Sequence, residues 1–117
     1  MKEPLYLSFK HAFEGIFTAL KDERNMKIHV SVMILVIIAG LYFHITRTEW
    51  LVCLIFFGLV ISMEIMNTAL ESAVDFTSTE EHPVAKKAKD CAAGAVLVSA
   101  ISSAVAGLII FVPYIVA

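Results

Sequence analysis

The sequence has few charged residues, few cysteines and no glycine-rich phosphate loop. Only 17% of its 117 residues are charged and the net charge is −2. Its basic residues form no stripe interleaved with aromatic side chains, which argues against nucleic-acid binding. Neither GxxxxGK(S/T) nor GxGxxG occurs, so the common glycine-rich nucleotide-binding motifs are excluded. The two cysteines, Cys53 and Cys91, lie in apolar segments, and we expect small buried side chains there, not a disulfide.

Apolar residues are abundant. They make up 59% of the chain, and the mean hydropathy is +0.82, which is typical of a membrane protein. The length predicts a single domain over residues 1–117. A helix needs about 20 apolar residues to cross a bilayer. We predict three such spans, at residues 26–45, 50–70 and 89–114.

The N-terminal segment, residues 5–21, is too short and too polar to span. Its apolar residues, including Phe9, Phe13 and Phe17, recur at helical spacing. We predict an amphipathic helix in the membrane surface. The predicted fold is therefore an all-α membrane protein with an N-terminal amphipathic surface helix and three transmembrane helices.

Basic residues indicate the orientation. Five lysines and arginines lie at or before the start of the first span and three precede the third, whereas only Arg47 lies between the first two spans. The positive-inside rule then predicts that the N-terminus and residues 75–90 are cytoplasmic. Three spans leave the C-terminus outside.

Three polar residues share one face at the end of the second span. Glu64, Asn67 and Glu71 have the spacing i, i+3, i+7, so a helix places them together. Such groups are costly to desolvate unless they pair, bind a cation or take part in chemistry. The alternative is a polar helix end in contact with water. Glu23 and the Lys89-Asp90 pair are predicted on the same side of the membrane.

These residue types suit phosphoryl transfer to a lipid. Mg²⁺ binds through one or two carboxylates plus substrate phosphates, and Glu23 and Glu71 are candidates. Lys89 would meet a phosphate as a point charge. Glu64, a carboxylate at hydrocarbon depth, would accept a proton from a lipid hydroxyl.

Two nearby polar residues have simpler interpretations. His29 is interpreted as a structural polar contact, because no second histidine shares its face for metal binding. Asp75 is expected to cap the helix or hydrogen-bond locally.

Small residues mark one face of the third span. Ala95, Ser99, Ser103 and Gly107 recur every four residues, which favours close helix contact. We expect this face to be used between subunits as well as within one.

Two segments resemble the signature motifs of a known family. Residues 64–75 (EIMNTALESAVD) and 88–96 (AKDCAAGAV) are similar to those of the prokaryotic diacylglycerol kinases, small integral-membrane lipid kinases. Gly15 matches as well, and the likeness extends over residues 9–112. Glu23-Arg24-Asn25, His29 and His82-Pro83 resemble the Gram-positive branch, whose members are undecaprenol kinases.

The resemblance implies a homotrimer with cytoplasmic active sites shared between neighbouring subunits. It implies a catalytic base at Glu64, with Asn67 in the same site. It implies that Glu23 and Glu71 hold Mg²⁺ with ATP. The remaining positions that match nucleotide contacts or the loop beside them are Lys89, Asp90, Glu80, Glu81 and His82.

The sequence thus favours an ATP-dependent kinase that converts undecaprenol to undecaprenyl phosphate. Diacylglycerol is the alternative acceptor. A second class of protein is a small multidrug or cation transporter, which carries an intramembrane glutamate near the midplane. A non-catalytic membrane assembly subunit would leave the carboxylates unexplained.

Overall fold

The structure of the chain, a computed structural model, describes residues 3–77 and 82–117. These residues form four α-helices: α1 (Leu5–Asp22), α2 (Arg24–Phe43), α3 (Arg47–Thr77) and α4 (Pro83–Val116). The last three are long and apolar enough to cross a membrane. The predicted all-α fold with three candidate spans is therefore confirmed.

Helices α3 and α4 extend well beyond the apolar runs that predict them. They have 31 and 34 residues, which at 1.5 Å per residue gives about 46 and 51 Å, against about 30 Å of hydrocarbon. Hydropathy detects only the part suited to hydrocarbon, so the predicted span ends fall inside helices. Pro113 does not end α4, which continues to Val116.

A tight turn joins α2 to α3. His44 closes α2 in the left-handed conformation, with φ 55° and ψ 52°. The amides of His44 and Ile45 both donate to the Gly40 carbonyl, which satisfies the end of the helix. The short connection makes α2 and α3 antiparallel neighbours.

A capping box opens α3. The Thr46 amide donates to Glu49 Oε1 at 2.9 Å, and the Glu49 amide donates to Thr46 Oγ1 at 3.2 Å. The Tyr114 hydroxyl, near the end of α4, donates to the same Glu49 oxygen. One carboxylate therefore caps α3 and ties α4 to its start.

A cluster of buried apolar residues lies at this end of the bundle. Ile45, Cys53 and Ile110 are buried at its centre. Partly buried apolar residues surround them: Val36, Phe43, Trp50, Val52, Phe57, Phe111 and Tyr114. Burial of this apolar surface stabilises the turn and, beside it, the start of α3 against the end of α4.

Helices α3 and α4 make the most extensive contact in the described chain. The buried residues of α3 are Cys53, Val60, Glu64 and Asn67, at intervals of seven, four and three positions. This is the spacing of a left-handed helix pair. The first half of this buried stripe is apolar and the second half is polar, so the packing of α3 against its neighbouring helices places the polar face in the interior.

Helix α1 packs on the rest of the chain through few residues. Ala19 is its only buried residue, and Met26 in the first turn of α2 is fully buried beyond it. Phe9, Phe13 and Phe17 are 58%, 59% and 69% exposed. The aromatic side of α1 therefore has little contact with the other helices of the chain.

The small-residue face of α4 is used in part within the chain. Ser99 is 4% exposed and donates to the Val96 carbonyl at 2.8 Å. Ala95 is exposed, and a Cβ at Gly107 would meet nothing within 4 Å. The expectation of a buried thiol is wrong for Cys91, which is exposed and lines an open groove between α3 and α4.

Gly40 permits a close approach of the Trp50 ring. A Cβ at Gly40 would lie 2.6 Å from Cη2 and 2.8 Å from Cζ2 of that ring, so the ring would have to move. We expect Gly40→Ala to destabilise the protein, because overpacking costs about 1–3 kcal/mol and alanine's better helix propensity recovers at most about 1 kcal/mol. The measurement is thermal unfolding in detergent, followed by circular dichroism.

A Trp50→Leu background supplies the matched control. Leucine does not reach as far as the indole ring, so there the new Cβ would meet only the end of the Ile45 side chain, at 3.1 Å, and Gly40→Ala should cost much less. An equal loss of melting temperature in both backgrounds would contradict the contact as the cause.

Candidate active site

The polar face predicted on α3 is present, and it is buried. Glu64 is 1% exposed, Asn67 is 7% exposed, and Glu71 is half-buried. Asn67 Nδ2 donates to Glu71 Oε1 at 3.2 Å. The Asn67 amide therefore orients the Glu71 carboxylate. Glu64 precedes Asn67 by about one turn of α3 and is more deeply buried.

Two buried acceptors on this face have no hydrogen-bond partner in residues 3–77 and 82–117. They are Glu64 Oε2 and Asn67 Oδ1. An unsatisfied buried acceptor costs about 1–3 kcal/mol, and more when it is charged. A polar helix end in contact with water would leave these atoms hydrated, whereas both are shielded. The arrangement favours a face that receives a donor or a cation.

His29 of α2 lies opposite Glu64. Its Nε2 is 3.6 Å from Glu64 Oε2, within ion-pair range but longer than a hydrogen bond. The predicted polar contact of His29 therefore has a specific partner, the most deeply buried carboxylate described. The histidine side chain is 20% exposed and that of Glu64 is 1% exposed.

Glu23 lies at the junction of α1 and α2. Its backbone is extended, and its side chain makes no capping hydrogen bond to α2, so its carboxylate is not used to hold the helix. The charges of Glu23 and Glu71 both act on Glu64. The structure thus brings Glu23 and Glu71 within electrostatic range of Glu64.

The described residues contain no group of three His, Cys, Asp or Glu side chains placed to hold a metal ion. This does not conflict with magnesium, which usually takes one or two protein carboxylates, substrate phosphates and water. Glu23, Glu71 and the unpartnered Asn67 Oδ1 are oxygen donors of the right chemical type. The donor set therefore fits an ion held jointly with a phosphate.

The end of α3 and the start of α4 carry a second charged group. Lys89 Nζ donates to Asp75 Oδ1 at 2.7 Å, and Lys86 Nζ donates to Asp90 Oδ2 at 2.5 Å. Asp75 was expected to bond locally, but its partner lies 14 residues away on the next helix, because α3 continues far enough to face α4. Glu71 is near enough for its charge to act on Lys89.

His82 caps α4. Its Nδ1 accepts a hydrogen bond from the Val84 amide at 3.1 Å, and Pro83 follows as the first helical residue. A nucleotide contact by His82 would therefore use its other ring nitrogen. Glu80 and Glu81, also predicted beside the nucleotide, lie outside the described residues.

Comparison with known proteins identifies the family. The family model of the prokaryotic diacylglycerol kinases matches residues 10–111. The chain belongs to the prokaryotic diacylglycerol kinase family. The resemblance drawn from the two motifs is confirmed, and so is the predicted enzyme class, a lipid kinase.

Similar proteins include members with two different acceptors in their names. The chain is 41% identical to the undecaprenol kinase of Bacillus subtilis, over 92% of this chain and 88% of the relative. It is 40% identical to the diacylglycerol kinase of Synechocystis sp. over 93% of this chain, but spans only 63% of that relative. It is 33% identical to the diacylglycerol kinase of Helicobacter pylori strain J99, over 83% of this chain and 76% of the relative.

Two side-chain contacts at the candidate site of this chain were not predicted from its sequence. They are His29 with Glu64 and Asp75 with Lys89. The sequence contained a signal for the first contact. His29 lies near the start of its predicted span and Glu64 lies towards the end of the next span. In two antiparallel helices, these positions are at a similar depth in the membrane. The second required the true length of α3, which hydropathy does not report.

Proposed function

We propose that this chain is an ATP- and Mg²⁺-dependent kinase that phosphorylates a membrane lipid alcohol, with undecaprenol as the preferred acceptor and Glu64 as general base. The observation that carries the proposal is the buried Glu64 carboxylate, with an unpartnered oxygen beside the Asn67–Glu71 pair. Family membership supports the lipid-kinase chemistry, and the relative with the highest identity quoted above is named an undecaprenol kinase.

The proposed reaction is a direct in-line transfer. The lipid hydroxyl oxygen attacks the γ-phosphorus of ATP, and the bond from that phosphorus to its bridging oxygen breaks, so that ADP leaves with the electron pair. Glu64 accepts the hydroxyl proton as the new O–P bond forms. The balanced products are the lipid phosphate and ADP, with one proton on Glu64.

The depth of Glu64 suits this role. It is the eighteenth residue of α3, about 26 Å along the helix from its first residue. Counted from Trp50, where the predicted span begins, Glu64 lies about 21 Å along the helix. In a hydrocarbon layer of about 30 Å, that is past the midplane, in the half nearer the end of α3 where the charged residues gather. In the proposal, the lipid hydroxyl reaches Glu64 from within the bilayer and meets ATP from the aqueous side.

Glu23 and Glu71 are the residues that would hold Mg²⁺, with Asn67 keeping the Glu71 carboxylate oriented. When bound, the ion neutralises charge that develops on the phosphate oxygens. The carboxylates come from the α1–α2 junction and from α3, so the same contact would fix α1 against the bundle.

The residues proposed to contact the nucleotide lie at the facing ends of α3 and α4. Lys89 exchanges its Asp75 partner for a phosphate and so remains paired throughout. Asp90 lies near the start of α4, and His82 is the N-terminal cap of the same helix. Glu80 and Glu81 complete the predicted set.

The proposal includes the membrane arrangement. The N-terminus and the site face the cytoplasm, and the C-terminus lies outside. Helix α1 lies in the surface of the plasma membrane, with its exposed aromatic side in contact with the lipid. Three copies form a homotrimer with sites shared between neighbours. An open groove of about 410 Å³ beside α4, lined in part by Gly94, Ala95 and Ser102, supports close contact with another helix.

The other candidate functions are less well supported. A transporter glutamate is expected near the midplane, whereas Glu64 lies past the midplane on the side where Glu71, Asp75 and Lys89 follow. A non-catalytic assembly subunit gives no reason for a buried carboxylate with an unpartnered oxygen. Diacylglycerol remains the alternative acceptor, because the family contains kinases of both names.

Replacing Glu64 tests the base. Glu64→Gln keeps the size and polarity of the side chain but removes its basic oxygen, so kcat should fall by at least about 10²-fold. Turnover is measured with ATP, Mg²⁺ and lipid in nanodiscs. Glu14→Gln, an exposed carboxyl on α1, is the control and should keep its activity. Near-wild-type turnover in folded Glu64→Gln would rule out Glu64 as base.

Replacing Glu71 tests the metal site. Glu71→Gln should raise the Mg²⁺ concentration needed for half-maximal activity and weaken ATP binding, because one oxygen ligand with full charge is lost. Asn67→Ala should shift the same titration by less, since it only releases the Glu71 carboxylate. An unchanged Mg²⁺ titration in Glu71→Gln would refute the assignment.

A direct comparison of lipids tests the acceptor. The exposed aromatic side of α1 offers an apolar wall, which suits a long polyprenol with a single hydroxyl. We expect kcat/KM to be higher for undecaprenol than for diacylglycerol when both are presented in the same nanodiscs. A ratio that favours diacylglycerol would change the acceptor and leave the kinase assignment in place.

A further inference from the structure

The buried carboxylate of Glu64 has one neighbour that can balance its charge. His29 Nε2 lies 3.6 Å from the unpartnered oxygen Oε2. Within residues 3–77 and 82–117, no lysine or arginine forms an ion pair with Glu64. The other charges that act on it, from Glu23 and Glu71, have the same sign. An ionised Glu64 therefore depends on His29 for a counter-charge.

The two side chains differ in how far the helices bury them. The Glu64 side chain is 1% exposed and the His29 side chain is 20% exposed. His29 lies in the second turn of α2, so its ring connects the buried carboxylate with the surface. Imidazole has two nitrogens, and it can take up a proton at one while it releases a proton from the other.

We propose that His29 is the positioning residue of Glu64 and the route by which the proton of the lipid hydroxyl leaves for water. This inference rests on the proposed function, in which Glu64 is the base. The role requires a positively charged His29 opposite an ionised Glu64 at the start of each turnover. That charge keeps Glu64 ionised and holds Oε2 in place.

The proton balance closes over one turnover. Glu64 takes the proton of the attacking hydroxyl and becomes neutral. His29 then faces an uncharged carboxyl and releases its own proton to water. The released proton is the one on Nδ1, so a turn of the ring brings the free Nδ1 to Glu64, where it takes up the carboxyl proton, and the ring then returns to the starting state. One proton enters from the lipid and one leaves to water.

His29→Gln is the principal test. Glutamine keeps a polar side chain of similar reach but cannot carry the charge or the proton. We expect kcat at pH 7 to fall about tenfold or more while KM for the lipid changes little. The acidic limb of the kcat profile should move to higher pH by about one unit or more, because an opposite charge close to a carboxylate has an effect of that size.

His44→Asn is the matched control. His44 lies at the other end of α2, about 22 Å along the helix from His29, and asparagine tolerates its left-handed backbone. Its kcat and pH profile should be those of the wild type. Undecaprenol in nanodiscs with ATP and Mg²⁺ is the assay for every variant.

Two further measurements separate this role from a purely structural one. In the Glu64→Gln background, His29→Gln should have no additional effect on kcat, because its action passes through the carboxylate. In His29→Ala, added imidazole should restore part of the lost activity. If His29→Gln does not fold, the imidazole experiment is the deciding test. A folded His29→Ala protein that regains no activity with imidazole overturns the proposal.

The outcomes for the base and for its partner are distinct. Wild-type kcat and pH profile in His29→Gln, together with inactive Glu64→Gln, overturn the role of His29 and leave Glu64 as base. Full activity in Glu64→Gln overturns both.

Discussion

The cost of burying a carboxylate in an apolar helix pair is the constraint on which the rest of the structure depends. Glu64 is 1% exposed, so its charge is separated from water and needs compensation. His29 approaches from α2, and the Asn67–Glu71 pair lies one turn away on the same face. The His29–Glu64 contact requires α2 and α3 to keep one register and one rotation.

That register is set at the opposite end of the helices. There the chain buries Ile45, Cys53 and Ile110, and the Trp50 ring lies against Gly40. Apolar burial contributes stability without directional bonds, whereas unsatisfied polar atoms at the other end reduce it. The molecule therefore separates the region that holds the helices together from the region that carries the polar chemistry.

The sequence was sufficient for the helix types and for the face of Glu64, Asn67 and Glu71. Long apolar runs and helical spacing depend only on local periodicity, which needs no knowledge of packing. The ends of α3 and α4 were missed because both helices continue through residues that hydropathy scores as polar. His29 with Glu64 and Asp75 with Lys89 were missed because such pairs depend on how neighbouring helices are rotated. The Tyr114–Glu49 contact spans 65 positions, beyond the range of any local pattern.

The double role of Glu49 has a mechanical consequence. Its carboxylate caps α3 and also accepts from Tyr114, so the start of α3 and the end of α4 behave as a single joint. At the other end of the pair, residues 78–82 connect α3 to α4. Asp75 and Lys89, one on each side of that connection, form a solvent-exposed ion pair, which adds little to the stability. The helix pair is thus joined at both ends, by a side-chain contact at one and by the chain itself at the other, where the nucleotide-binding residues are proposed.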